Sequence, residues 1–213
     1  MRNHIIESIV KRVGQRLINE RKSDKISLLI SRLVINQFKK MEDFEIENIY
    51  FERGGDYASF DLSCVFIEDE DFNHPFSVSA FADIDTMEIE VTFRPQDFPK
   101  HMNDLVAEIK ETIEHELEHI EQKNFEDMSV PDEDVEPGNF RYLMSKEEIP
   151  AHVRGLIKRA KTKRISLSDA MEEWFDENKG KFEKPKKEWP KVKHAWMEYA
   201  NRMKEKQSVK KFK

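Results

Sequence analysis

From Asn48 to Phe93 the chain repeatedly places an apolar residue at every second position, a period that excludes helix over this stretch. In "ASFDLSCVF" the residues Phe60, Leu62, Cys64 and Phe66 share one parity. In "FSVSAFADI" they are Phe76, Val78, Ala80, Ala82 and Ile84. In "MEIEVTF" Met87, Ile89, Val91 and Phe93 alternate with Glu88, Glu90 and Thr92. A strand turns successive side chains to opposite faces, so each segment has one face to bury. The short "NIYFE" precedes them, with Gly54-Gly55 as a turn. Short links between such strands predict a four-stranded antiparallel meander with one buried face.

On either side the period lengthens to three and four. Ile5, Ile9, Val13 and Leu17, then Ile26, Ile30, Val34 and Phe38, predict two helices up to about Met41, broken at "RKSDK" with Ser23 or Asp24 as an N-cap. Further helices are expected over His101–Lys123 and Ser145–Lys163. Another covers "SLSDAMEEWFDEN", capped by Ser166 or Ser168, and the last is Glu188–Lys206. The tail "QSVKKFK" is basic and expected to fray. "NFEDMSVPDEDVEPGNF" reads as a long acidic loop. It lacks the ligand spacing and glycine of a calcium loop. The fold class is α+β. The expected division is 1–164, holding the sheet and its helices, and 165–213, a C-terminal helical extension.

The net charge of -7 argues against a wholesale nucleic-acid binder. The charge is uneven, with 19 basic and nine acidic residues after Pro150. A single cysteine, Cys64, permits no intrachain disulfide and fits a reducing compartment, so a cytoplasmic location is expected. No apolar run nears the roughly 18–20 residues that span a membrane, and the charged N-terminus is unlike a signal peptide.

One stretch of the His101–Lys123 helix carries chemistry. In "TIEHELEHIEQ" His115 and His119 are four apart. At about 100° per residue they lie roughly 40° apart around the helix and one turn along it. That spacing lets two imidazole nitrogens grip one Zn²⁺. Glu116, on the flank, is placed to take a proton from water beside the metal. The other features have simpler readings: Cys64 falls in the core, and Trp174, Phe175, Trp189 and Trp196 form packing faces.

A sheet, an H-E-x-x-H helix and a later helix together resemble the zincin metallopeptidases, over roughly Ile49 to Lys163. "HELEHIEQ" with "YLMSKEEIPAHVRG" is also similar to uncharacterised metallopeptidases encoded by tailed bacteriophages, which implies a host cytoplasm. The resemblance implies a zincin-like fold and hydrolysis of a protein or peptide substrate. It also implies Zn²⁺ held by His115, His119 and a third ligand, Glu116 as general base, and an edge strand that aligns the substrate backbone. The strand ending near Phe93 is expected to supply that edge. For the third ligand the glutamate-ligand subgroup of the family points to Glu148, with Glu147, His152, His101 or no third ligand as alternatives. Ser145 and Glu148 also match a capping box, in which Glu148 would serve only its own helix. His152 could stabilise an oxyanion or orient a ligand, or be a surface histidine; Tyr142 could donate to the oxyanion or simply pack. Glu118 and Glu121 stand where the family keeps uncharged and apolar residues, which implies a helix more exposed on one side. Two other functions fit the residues. One is an inactive zincin-like structural or interaction protein. The other is an adaptor that uses its basic C-terminal helices on nucleic acid or an acidic partner. No membrane partner is expected, and nothing in the sequence sets the oligomeric state.

Overall fold

The computed structural model describes residues 23–53, 56–125, 140–182 and 185–210. The helix expected from Ile5, the Gly54-Gly55 turn and residues 126–139 of the acidic loop lie outside them. The described residues form five α-helices and a four-stranded sheet: α1 (Ser23–Phe38), β1 (Phe44–Arg53), β2 (Asp56–Glu68), β3 (Phe76–Ala82), β4 (Thr86–Phe93), α2 (Met102–Phe125), α3 (Glu148–Lys163), α4 (Leu167–Asn178) and α5 (Pro185–Lys210). Internal contacts divide the chain into two compact units, Met1–Asp127 and Met128–Lys213. This boundary groups α3 with α4 and α5, whereas the sequence reading placed the division at 164/165. No described helix is long and apolar enough to cross a membrane.

The first unit holds the sheet, and its inward face is the one the alternation marks. Phe60, Leu62 and Cys64 of β2 and Met87, Ile89, Val91 and Phe93 of β4 are buried. They meet Ile26, Ile30, Val34 and Phe38 of α1 and Leu105, Ile109, Ile113 and Ile120 of α2 in one core. Each large side chain of this kind contributes about 1.5–3 kcal/mol on burial. Ile84, expected on this face, is 50% exposed, because β3 ends at Ala82 and the chain is already turning.

β1 runs longer than "NIYFE" suggests and contains a bulge between Ile46 and Ile49. The extra residue lets Ile46 and Ile49 both face the core although they are three apart. Asn48 takes the left-handed conformation, φ 57, and its N–H donates to Asp61 Oδ1 at 2.8 Å.

The sheet is mixed, not an antiparallel meander. Its order is β1-β2-β4-β3, with β2 and β4 parallel and the outer pairs antiparallel. The reason lies in what each strand buries. β4 turns four large, almost wholly buried side chains inward and takes an interior place. β3 turns Phe76, Val78 and Ala80 to the core only half-buried, with Ala82 buried, and lies at the edge. β4 therefore has no open edge, and the expectation that the strand ending at Phe93 would pair with a substrate is corrected: the strand open beside it is β3.

The pairing of β3 determines which of its groups face outward. Arg94 N–H donates to Pro75 O and Asp83 N–H to Thr86 O, both at 2.9 Å. Odd-numbered residues therefore bond to β4, and Phe76, Val78, Ala80 and Ala82 turn their N–H and C=O groups to the open side. α2 ties down this edge at two places. Glu108 Oε1 accepts from Val78 N–H at 3.2 Å, and Lys123 Nζ donates to Ala82 O at 3.0 Å. Lys123 also reaches Asp83 Oδ1 at 3.1 Å, holding that carboxyl below the usual range. Asn124 Nδ2 donates to Ile84 O at 2.8 Å.

The second unit is helical. Leu143, Val153, Leu156, Met171, Phe175, Val192 and Trp196 are among its core residues. Of the two serines offered as the cap of α4, Ser166 serves: Asp169 N–H donates to its Oγ at 3.1 Å and Asp169 Oδ2 accepts from Ser166 N–H at 3.3 Å. α5 continues to Lys210, through most of the tail expected to fray.

Candidate metal centre

His115 and His119 lie in the middle of α2, between the two residues that hold β3. Leu105, Ile109, Ile113, Leu117 and Ile120 form the apolar stripe that seats this helix in the core. The two imidazoles converge, with Nε2 3.1 Å from Nε2. Two ligands of a tetrahedral zinc with Zn–N bonds of about 2.0–2.1 Å would stand about 3.3–3.4 Å apart. The pair therefore fits such an ion with a shift of a few tenths of an ångström. Glu116 follows His115 directly and is half-buried.

Gln122 was not singled out by the motif. Its Oε1 lies 3.3 Å from His119 Nδ1, and the residue is buried. A proton on Nδ1 donated to this oxygen leaves the Nε2 lone pair available, the usual way in which an outer partner selects the metal-binding tautomer. The spacing of three was there to be read, since i and i+3 share a helix face.

Glu118 and Glu121, expected on an exposed side of the helix, are both buried, as are Glu111 and Glu114. A charged side chain marks exposure only where tertiary packing leaves that side open, and here it does not. His101 is excluded as a partner for His115. It precedes α2, where its Nδ1 lies 4.0 Å from Asp104 Oδ2. It stands fourteen residues before His115, about 21 Å along the axis at 1.5 Å per residue.

In the second unit Ser145 Oγ accepts from Glu148 N–H at 3.1 Å, so half of a capping box is present. The Ser145 N–H goes instead to Tyr142 O at 3.1 Å. The Glu148 carboxylate, buried on α3, lies with Oε2 3.4 Å from His152 Nε2. Pro150 stands in the first turn, where backbone N–H groups have no helical acceptor. It does not bend Glu148 and His152 off their common face. His152 is no surface histidine: its ring stacks on Trp196, centroids 4.7 Å apart at 21°, and meets Trp174 edge-on at 4.9 Å. Glu147 stands at the N-cap position of α3 without a capping side-chain hydrogen bond and is half-buried, as is Tyr142 in the turn before it.

His115, Glu148 and His152 thus carry donor atoms of the kind that could hold a metal ion. Comparison with protein-family models, with curated proteins and with solved structures finds no match to this chain.

Proposed function

We propose that this chain hydrolyses peptide bonds with a zinc ion held by His115, His119 and Glu148. The observation that carries the reading is the 3.1 Å convergence of the two histidine Nε2 atoms, with Glu116 beside them on the same helix. Bound zinc supplies Lewis acidity, which acidifies water and polarises a carbonyl. Glu116 takes a proton from water at a carboxylate oxygen. The hydroxyl adds to the carbonyl carbon, the C–N bond breaks, and Glu116 returns the proton to the amine nitrogen. Gln122 favours the His119 tautomer with its proton on Nδ1, which leaves the Nε2 lone pair to bind the metal.

The substrate backbone pairs with the open side of β3, where Ala80 presents its N–H and C=O. β3 is tied along α2 on both sides of the histidine pair, through Glu108 and Lys123, which supports this alignment. Tyr142 is an auxiliary donor to the oxyanion.

The test is Glu116→Gln. The variant keeps about one zinc per chain by elemental analysis and loses peptidase activity by about 10²–10⁴-fold. Activity equal to the wild type sinks the reading. Glu118 and Glu121, which stand where the zincin family keeps uncharged and apolar residues, favour a second reading, a zinc-stapled interaction protein with no turnover. Zinc without hydrolysis of any peptide in a broad library would establish it. The adaptor reading is weaker. Arg159 and Lys163 bond to Glu173, and Lys193 bonds to Glu172, so these cations are already engaged with carboxylates.

A further inference from the structure

We propose that the peptide taken along β3 is a basic one. The two side chains that flank its residue opposite Ala80 are lysine or arginine, received by Ser79 with Glu90 and by Phe81 with Glu88. The proposal rests on the peptidase reading above and names the substrate class of that same edge.

The two ties to α2 set the register. Glu108 holds the Val78 N–H and Lys123 holds the Ala82 carbonyl, so the open main chain between them centres on Ala80. Residues opposite each other across a strand pair point to the same face. Phe76, Val78 and Ala80 pack against the core, so a peptide residue opposite Ala80 turns to that side as well. Its two neighbours stand opposite Ser79 and Phe81 and turn to the outer face.

That face is acidic and apolar here. Phe81 is 61% exposed, and Ser79 is exposed too. On β4, Glu90 pairs with Ser79 and Glu88 pairs with Phe81, and both glutamates are exposed. The four strands contain one basic residue, Arg53 at the end of β1, and β1 forms the far edge of the sheet. The carboxylates beside β3 therefore have no cation of the sheet next to them.

Reach selects the side chain. Adjacent strands lie about 4.7–4.9 Å apart, so an added strand is about twice that distance from β4. A peptide side chain must cross β3 to meet a carboxylate. Ser79 is short and leaves the crossing open to a long stem, with Glu90 at its end. At the other place the Phe81 ring is the surface itself. A cation over its face is attracted by the ring quadrupole, and the Glu88 charge beyond it adds to the attraction. A glutamate or aspartate at either place meets like charge. Because side chains alternate between faces, the two cations must be separated by one residue.

The probes are fluorescently labelled heptapeptides of threonine with two central arginines. The arginines are separated by one residue, or adjacent, or replaced by glutamines at the separated positions. Binding is measured by anisotropy with full-length Glu116→Gln, and cleavage with the wild type. The separated-arginine peptide is expected to bind about two- to fivefold tighter per arginine than its glutamine twin, the range of an exposed ion pair or cation–π contact. It is also expected to bind more tightly than the adjacent-arginine peptide. The advantage is expected to shrink at 1 M salt, where screening acts within about 3 Å. Adding Glu88→Gln and Glu90→Gln is expected to remove most of the advantage and leave binding of the glutamine twin unchanged. Equal binding of the separated-arginine and glutamine peptides, including none by either, overturns the proposal. So does equal binding of separated and adjacent arginines, or an advantage kept whole without the two glutamates. Cleavage with no preference for arginine overturns this proposal alone, and the peptidase reading stands. Arginine-dependent binding with no cleavage by the wild type overturns the peptidase reading and leaves the two places on β3.

Discussion

Gln122 Oε1 lies 3.3 Å from His119 Nδ1, one helical turn beyond the nitrogen that faces His115. A histidine can present Nε2 to a metal only if its proton sits on Nδ1, and Gln122 gives that proton an acceptor. Gln122→Leu keeps a similar volume at a buried position and removes the acceptor. Zinc affinity falls by about 10–100-fold, the range for an outer-shell partner. Competition against a chelator of known affinity measures it. An unchanged affinity would show that Gln122 only packs.

The pairing of β3 supports a paired test of the substrate edge. Ala80 turns its N–H outward, whereas the N–H of Ser79 bonds to β4. Proline at position 80 removes an outward donor and no ladder bond, which an edge strand tolerates. Proline at position 79 removes a bond within the sheet. Ala80→Pro is therefore expected to keep a melting temperature within a few degrees of wild type and to lose about tenfold in kcat/KM, the worth of one hydrogen bond. Ser79→Pro is expected to lower the melting temperature sharply. Equal melting losses in the two would contradict the assignment of outward and inward groups.

The parities of Phe60, Leu62 and Cys64 and of Met87, Ile89 and Val91 were legible because a two-residue period has no other good explanation. The order of the strands was not. It depends on how much apolar surface β4 buries relative to β3, a comparison between segments that no single segment reveals. Ile84 was misplaced because its parity continues that of Ala82 past the end of β3. The histidine pair was legible from spacing alone. Glu118 and Glu121 were not, since their burial is a tertiary fact that overrides a local charge pattern. Glu148 illustrates the limit most clearly: S-x-x-E fits both a cap and a ligand, and only the path of the Ser145 N–H to Tyr142 O shows that the reciprocal cap contact is replaced.

Asn48 tests the account of β1. Its φ of 57 lies in the left-handed region, which glycine and asparagine enter most easily. Asn48→Gly keeps the bulge and changes stability by less than about 1 kcal/mol. Asn48→Val forces a branched side chain into that conformation and costs about 1–3 kcal/mol. Chemical denaturation of the two variants gives the comparison. Equal stability would mean that Ile46 and Ile49 reach the core by some route other than this bulge.

Cys64 provides a prediction in pH. Its side chain is 1% exposed in the core, and burial, followed by the nearby Asp43 carboxylate, pushes its pKa up from 9.0 to about 12. Only the thiolate attacks a disulfide reagent. At pH 8 the native protein is therefore expected to react with such a reagent no faster than it opens, and denaturant is expected to expose one thiol per chain at once. The linkage has a definite sign. The folded pKa lies above the unfolded one, so the contribution of the neutral thiol to stability is complete below about pH 9 and is lost as pH rises toward about 12. Cys64→Ala removes that dependence. Its stability should fall less steeply than that of the wild type between pH 9 and pH 12, and parallel curves would show that the thiol does not titrate with unfolding.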